Sequence, residues 1–379
     1  MKRRNFLGHL ATGVGAATTG IVGATTIAAC GGDENTPAGS SANSRAQKTR
    51  VQWRLTSSFP RSLDTLFGGA EVLAQMVEEM SDGLFKIRVY PAGELVPGLE
   101  VLDAVQQGTV QVGQTASYYY TGKNPALAFD CCVPFGMTAR QQNAWLTEGG
   151  GLELMNQLFS DYNVITFPGG NTGVQMGGWF KREIAGLADL EGLKMRIPGL
   201  GGNVMSMLGV NVQVLAGGEI YPALERGAID ATEWVGPYDD EKLGFHQVAK
   251  YYYYPGWWEP GPSLSFYVNQ KAWAALPADF KAIFRAACAA SGNTMQARYD
   301  AKNPPALERI LASGIQMRPF STDIMEAAFK SSNELLEDNA AKDPGYRKIF
   351  EAWKKSRSAA TEWFSTAESS YTQFVSTKK

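Results

Sequence analysis

The sequence predicts an α/β protein built as two lobes. Short runs in which every second residue is apolar alternate with runs of helical spacing from residue 50 onward. A helix–glycine–strand signature occurs twice, over residues 104–113 and again over 223–232. Once a leader is set aside, the chain of 379 residues still has the length of two domains with sizeable cores.

The leader comes first. Lys2 precedes Arg3-Arg4-Asn5-Phe6-Leu7, a twin-arginine start, and residues 10–29 form a mildly apolar run rich in Gly, Ala and Thr. Small residues and modest hydrophobicity suit a cleaved signal, residues 1–29, better than a stable span. Ile27-Ala28-Ala29-Cys30 has the form of a lipoprotein cleavage box, which would leave Cys30 to carry a lipid. An ordinary signal with an incidental cysteine is the alternative. Residues 30–49, with their glycines, serines and charges, read as a tether.

Removing the signal takes away Lys2, Arg3 and Arg4 and no acid, so the net charge of −2 becomes more negative. No basic stripe points to nucleic acid, and no later apolar run is long enough to span a bilayer. Cys131 and Cys132 are adjacent and pair poorly for geometric reasons, so with Cys288 they read as buried free thiols. Past the signal, His246 is the only histidine. A His-based triad or multi-His zinc site within one chain would have to form around it, and it reads as a structural residue on a helix surface.

The elements follow from residue 50. Val51-Gln52-Trp53-Arg54-Leu55 is a strand by period two. Leu66, Ala70, Leu73, Val77 and Met80 have helical spacing, with Gly83 as the stop. Residues 85–90 form the next strand, 99–107 a helix and 110–112 a short strand. This β-α-β-α-β order argues for a sheet with helices on its faces. In two-lobed α/β proteins the ligand lies in the cleft between lobes.

The middle third carries the chemistry. Lys194-Met195-Arg196-Ile197-Pro198-Gly199 reads as a strand running into a Gly-rich loop over residues 199–202. Arg196 at a strand end would hold a carboxylate through two parallel hydrogen bonds; a surface arginine is the alternative. Residues 171–179 are polar and glycine-rich, allowing close backbone approach to a ligand. Asp230 to Tyr238 begins as a strand and places Glu233 beside Trp234. The four-tyrosine run Tyr251 to Tyr254, with Trp257, Trp258 and Glu259, forms an aromatic belt whose rings mostly serve packing.

These stretches, with Tyr90-Pro91-Ala92-Gly93-Glu94-Leu95, bring out a family resemblance. Over residues 50–370 the chain resembles the extracytoplasmic binding proteins of TRAP (tripartite ATP-independent periplasmic) transporters, closest to the branch that binds 2-oxo acids and lactate. The resemblance implies a periplasmic-binding-protein-like α/β fold, with two lobes closing on a cleft and long helices crossing between them. Lobe I would begin at 50–170, lobe II would occupy 171–262, and 263–379 would supply crossing segments and a C-terminal helix that partly complete lobe I. Arg196 becomes the carboxylate clamp. A cation, Na⁺ or Ca²⁺, would bridge protein and substrate through Gln175, Glu233 and the carbonyl of Trp234, a hard oxygen set. Asn171, Tyr119, Phe59 and Glu259 join the substrate list.

Dicarboxylate and sialic-acid members tend to carry a further arginine near the position of Gln175 and a Gln-Glu-Asn-Pro-like stretch near Glu233. Here stand Gln175 and Trp234-Val235-Gly236-Pro237, which argues for a small monocarboxylate such as pyruvate or lactate, with an aromatic wall around Tyr119 and Trp257-Trp258. Lys123 or Arg140 reaching the distal end would contradict this. The implied partners are a small organic acid, the membrane permease subunits, and a second copy through the aromatic C-terminal segment 345–374. A metal-dependent envelope enzyme acting on an oxo acid, a binder of a larger carboxylate, and a scaffold lipoprotein without ligand remain the competing readings.

Overall fold

The computed structural model describes residues 49–378; the expected signal, Cys30 and all but the end of the tether lie outside the described residues. β1 (Val51–Ser57), α1 (Leu66–Met80), β2 (Phe85–Tyr90), α2 (Val101–Gln106) and β3 (Val112–Thr115) open the first lobe. β1 lies in parallel between β2 and β3. Its alternation buries Trp53 and Leu55 and exposes Gln52 and Arg54. β3 starts at Val112, two residues later than the pattern suggests. Val110 N donates to the Ala104 carbonyl in the turn after α2, and its side chain packs into the core there. Gly108 and Gly227, the glycines of the repeated signature, both take positive φ, 74° and 75°, where a Cβ would be strained.

α3 (Ala128–Cys131), α4 (Ala139–Thr147) and α5 (Gly151–Ser160) lead into β4 (Val164–Asn171). The chain then builds a second sheet. It runs through β5 (Gly178–Phe180), β6 (Lys194–Arg196), α6 (Gly199–Met207), β7 (Asn211–Gln213), α7 (Gly217–Glu225), β8 (Ala231–Thr232), α8 (Pro237–Leu243) and β9 (Tyr251–Tyr254). β10 (Ser263–Asn269) returns to the first sheet, antiparallel to β3 and β4. α9 (Gln270–Ala275) and α10 (Ala278–Ala312) follow, and β11 (Gln316–Pro319) joins the second sheet beside β9. α11 (Thr322–Lys342), α12 (Pro344–Phe364) and α13 (Ser370–Ser376) end the chain. The sheet orders are β2-β1-β3-β10-β4 and β11-β9-β5-β8-β6-β7. Residues after 263 therefore feed both lobes.

α10 has 35 residues, a span of about 52 Å at 1.5 Å per residue. Its first half is held to lobe I: Phe284 packs edge-on against Trp53 and Phe167, and Ser291 Oγ lies 2.9 and 2.8 Å from the carbonyls of Gly69 and Gly169. Its second half packs on α8 of lobe II, and Pro304 and Pro305 lie inside it. Among the described residues no helix is long and apolar enough to cross a membrane.

The glycines at 199–202 form the first turn of α6, not a loop. Gly201 packs against the Trp258 side chain and Gly202 against the Ile197 carbonyl, contacts that a side chain would block. Cys131, Cys132 and Cys288 are buried free thiols.

Candidate functional site

A small cavity lies between the lobes, lined by Phe59, Leu66, Tyr118, Tyr119, Thr172, Gln175, Arg196, Trp234, Val235 and Leu264. Leu66 opens α1, the tyrosines follow β3, Thr172 and Gln175 follow β4, Arg196 ends β6, and Trp234 follows β8. Strand ends from both sheets thus converge on one space, the usual location of ligands in open α/β sheets.

Arg196 is 1% exposed. Parallel pairing of β6 with β7 and β8 sets its direction. Nε donates to the Leu215 carbonyl at 3.1 Å and Nη1 to the Glu233 carbonyl at 3.2 Å. Nη1 also pairs with the buried Glu233 carboxylate. Nη2 has no protein partner, and the guanidinium lies 5.2 Å from the centre of the Trp234 ring. One prong of the fork is therefore free inside a buried space. Burial lowers the affinity of the guanidinium for its proton, but Glu233 reverses this and the net shift is upward. Burial pushes the Glu233 carboxyl up, while Arg196 pulls it back.

Gln175 is 3% exposed. Its Nε2 donates to Thr172 Oγ1 at 3.2 Å, and its Oε1 has no partner. A buried amide oxygen without a donor is costly, and a cation would satisfy it. Glu259 is also buried; it accepts from Tyr118 OH at 3.3 Å, and burial followed by the nearby Glu233 charge pushes its carboxyl well above the usual range. Among the described residues no three His, Cys, Asp or Glu side chains cluster as metal ligands. The donor set that fits an ion here is the amide oxygen of Gln175, the Glu233 carboxylate and main-chain oxygen, all hard donors.

Arg196, Gln175, Trp234, Phe59 and Tyr119 thus meet around one cavity, with Glu233 and Glu259 behind its wall. Asn171 stands apart: its side chain accepts from Gly173 N at 2.8 Å, donates to the Gly261 carbonyl at 3.0 Å, and faces a neighbouring groove. The expected aromatic wall at Trp257 and Trp258 is also corrected. Trp257 stacks on Phe135, and both indoles belong to the lobe II core. The cavity wall is Phe59, Tyr118, Tyr119 and Trp234 instead. Lys123 pairs with Asp103 and Arg140 with Glu368, both away from the cavity. His246 sits in a short 3-10 turn, not a helix, and lines no part of the site. Tyr118 and Thr172 also line the cavity, each next to a residue the sequence points to, Tyr119 and Asn171.

Two lobes closing on a small cavity with one buried arginine define an α/β solute-binding protein. The chain belongs to the bacterial extracellular solute-binding protein family 7, whose model matches residues 56–343. It is 53% identical, over the full length of both chains, to a monocarboxylate 2-oxoacid-binding periplasmic protein of Nostoc sp.. It is similar to a TRAP transporter solute-binding protein of Bordetella bronchiseptica with copurified calcium and picolinate, at 47% identity and TM-score 0.86, covering 87% of this chain and 98% of that one. A TRAP periplasmic solute-binding protein of Pseudoalteromonas atlantica, with bound sodium and pyruvate, matches at 41% identity and TM-score 0.83, covering 86% and 99%.

Proposed function

We propose that this protein captures a small 2-oxo monocarboxylate, such as pyruvate, outside the cytoplasm and delivers it to a TRAP permease without altering it. The observation that carries the reading is the pair of orphaned buried groups on one cavity wall, Arg196 Nη2 and Gln175 Oε1. One is a donor for a carboxylate and the other an acceptor for a cation. A 2-oxo acid presents a carboxylate oxygen and its neighbouring carbonyl oxygen at one end, so it can meet the guanidinium and share an ion with Gln175, Glu233 and the Trp234 carbonyl.

Charge supports an ion here. Arg196 is already paired with the buried Glu233 carboxylate, and an anionic ligand adds a further negative charge. Na⁺ or Ca²⁺ relieves that excess and supplies electrostatic attraction to both substrate oxygens. The methyl end of pyruvate would face Phe59, Leu66 and Leu264, which offer a second carboxylate no partner.

The relative with picolinate favours a second reading, an aromatic acid whose ring nitrogen replaces the keto oxygen. Export by the twin-arginine signal, a lipid on Cys30 and a homodimer through the C-terminal helices complete the proposal. Calorimetry with pyruvate, 2-oxobutyrate, lactate, picolinate and succinate at fixed Na⁺ and Ca²⁺ tests it. Pyruvate returned unchanged after prolonged incubation fits a carrier, and turnover would identify an enzyme.

A further inference from the structure

We propose that Asp64 and Asp239 latch the two lobes together and so set how fast the bound acid leaves. The inference rests on reading the cleft as the ligand site, yet its residues lie outside the cavity lining. Asp64 and Thr65 directly precede Leu66, which lines the cavity from lobe I. On the other side, α8 begins two residues after Val235, which lines it from lobe II.

The buried half of the latch is a three-element contact. Thr65 Oγ1 donates to Asp239 Oδ1 at 2.6 Å, and Tyr299 OH of α10 donates to Asp239 Oδ2 at 2.6 Å. All three side chains are buried. The outer half is ionic. Asp64 pairs with Lys242 of α8, accepts from Lys302 Nζ of α10 at 2.9 Å, and accepts from Tyr238 OH at 3.0 Å. Lys242 Nζ also donates to the Ser62 carbonyl at 3.3 Å, and Arg298 Nη1 to the Asp64 carbonyl at 3.0 Å. The two ammonium groups lie 4.4 and 4.5 Å from the centre of the Tyr238 ring. Lobe I supplies the acid and the threonine, lobe II the tyrosine, lysine and second acid, and α10 the remaining donors.

Separating the lobes must break both halves. The Thr65–Asp239 hydrogen bond joins residues 174 positions apart and runs from lobe I to lobe II. Because these groups do not contact the cavity, weakening them removes no ligand contact and should shorten the bound lifetime. The side chain of Asp64 is 47% exposed, so added salt should screen the outer half.

The test uses the chain from residue 30, with Asp64→Ala, Lys242→Met and Thr65→Val. Interlobe distance is read by fluorescence transfer between dyes on the two lobes, without ligand and with pyruvate and calcium, and release by stopped flow. Asp64→Ala should release pyruvate about tenfold faster, with association no slower than in the wild type. Choline chloride at constant calcium should speed release from the wild type and leave Asp64→Ala unaffected. Without ligand, Asp64→Ala and Thr65→Val should both shift the distance distribution toward open. Wild-type release rates and wild-type distances in the variants would overturn the latch. Failure of the wild type to bind pyruvate would instead reject the ligand assignment, and the ligand-free distances would still decide on the latch. If Thr65→Val does not fold, the two surface variants carry the test.

Discussion

Replacing Arg196 by lysine keeps the charge and removes the fork. The guanidinium spends Nε on Leu215 and Nη1 on Glu233, which leaves Nη2 for the ligand. A lysine ammonium is compact and cannot hold the Leu215 carbonyl, Glu233 and a carboxylate in that geometry. One charge-assisted hydrogen bond is therefore lost, about 1.5–3 kcal/mol, which corresponds to roughly 10- to 150-fold weaker binding. Arg196→Ala goes further, because Glu233, itself 1% exposed, then stays buried without its cation. Truncating one partner of a buried charge pair costs about 2–5 kcal/mol in binding, and breaking such a pair costs about 3–5 kcal/mol in stability. Titration calorimetry with pyruvate at fixed calcium measures the first effect, and thermal unfolding without ligand the second. Arg196→Lys binding within about threefold of the wild type would refute the assignment of the free prong to the carboxylate.

Four further outcomes follow. Glu233→Gln should weaken the ion and pyruvate together, because binding linkage is reciprocal; equal pyruvate affinity before and after exhaustive chelation in sodium-free buffer would reject the bridging ion. Pyruvate should bind at least about a hundredfold tighter than succinate, since an unpaired carboxylate against Phe59, Leu66 and Leu264 loses hydration worth several kcal/mol; calorimetry showing equal affinities would contradict the single-carboxylate site. Burial pushes the Asp239 carboxyl up to about 6, although Thr65 and Tyr299 pull it back. A raised acid contributes stability that is complete below the unfolded value near 4 and lost as pH rises through about 6, up to about 3 kcal/mol in all; melting curves should show Asp239→Asn gaining on the wild type between pH 4 and 7, and a constant difference would exclude the titration. Deleting residues 365–379 removes the exposed Tyr371, Phe374 and Val375; light scattering should show the full chain as a dimer and the truncated chain as a monomer, and a monomer in both would exclude assembly through this segment.

The first lobe was legible because its strands are long enough to alternate. Val51 to Leu55 and Phe85 to Tyr90 show their buried faces in sequence alone, and Gly108 marks a left-handed residue that few other side chains tolerate. The second sheet was harder to read. β6, β7 and β8 have three, three and two residues, too short for a period to appear, and they exist because each finds its neighbour. The glycines before Asn203 suggested a loop because composition does not show that Trp258 and Ile197 press on them. In the site, residue types indicated an arginine, an amide and an acid. The Arg196–Glu233 pair spans 37 positions and emerges only when β6 and β8 lie side by side. Aromatic composition is the same in a core and in a pocket, so the sequence alone does not distinguish Trp257 and Trp258 as core.

The two prolines in α10 bear on how the lobes are joined. Neither offers an N–H, so the helix gives up two backbone bonds at Pro304 and Pro305 and its ladder is interrupted there. Upstream, Ser291 and the phenylalanines hold the rod to the first sheet; downstream, Ile310 belongs to a core shared with Phe245 and Tyr252 of the second. The break thus falls between the part of the rod fixed on the first sheet and the part that ends in the second lobe. At that turn the two halves of the rod are tied by fewer backbone bonds than elsewhere along it, and side-chain contacts from Tyr299, Lys302 and Asn303 to α8 carry more of the connection.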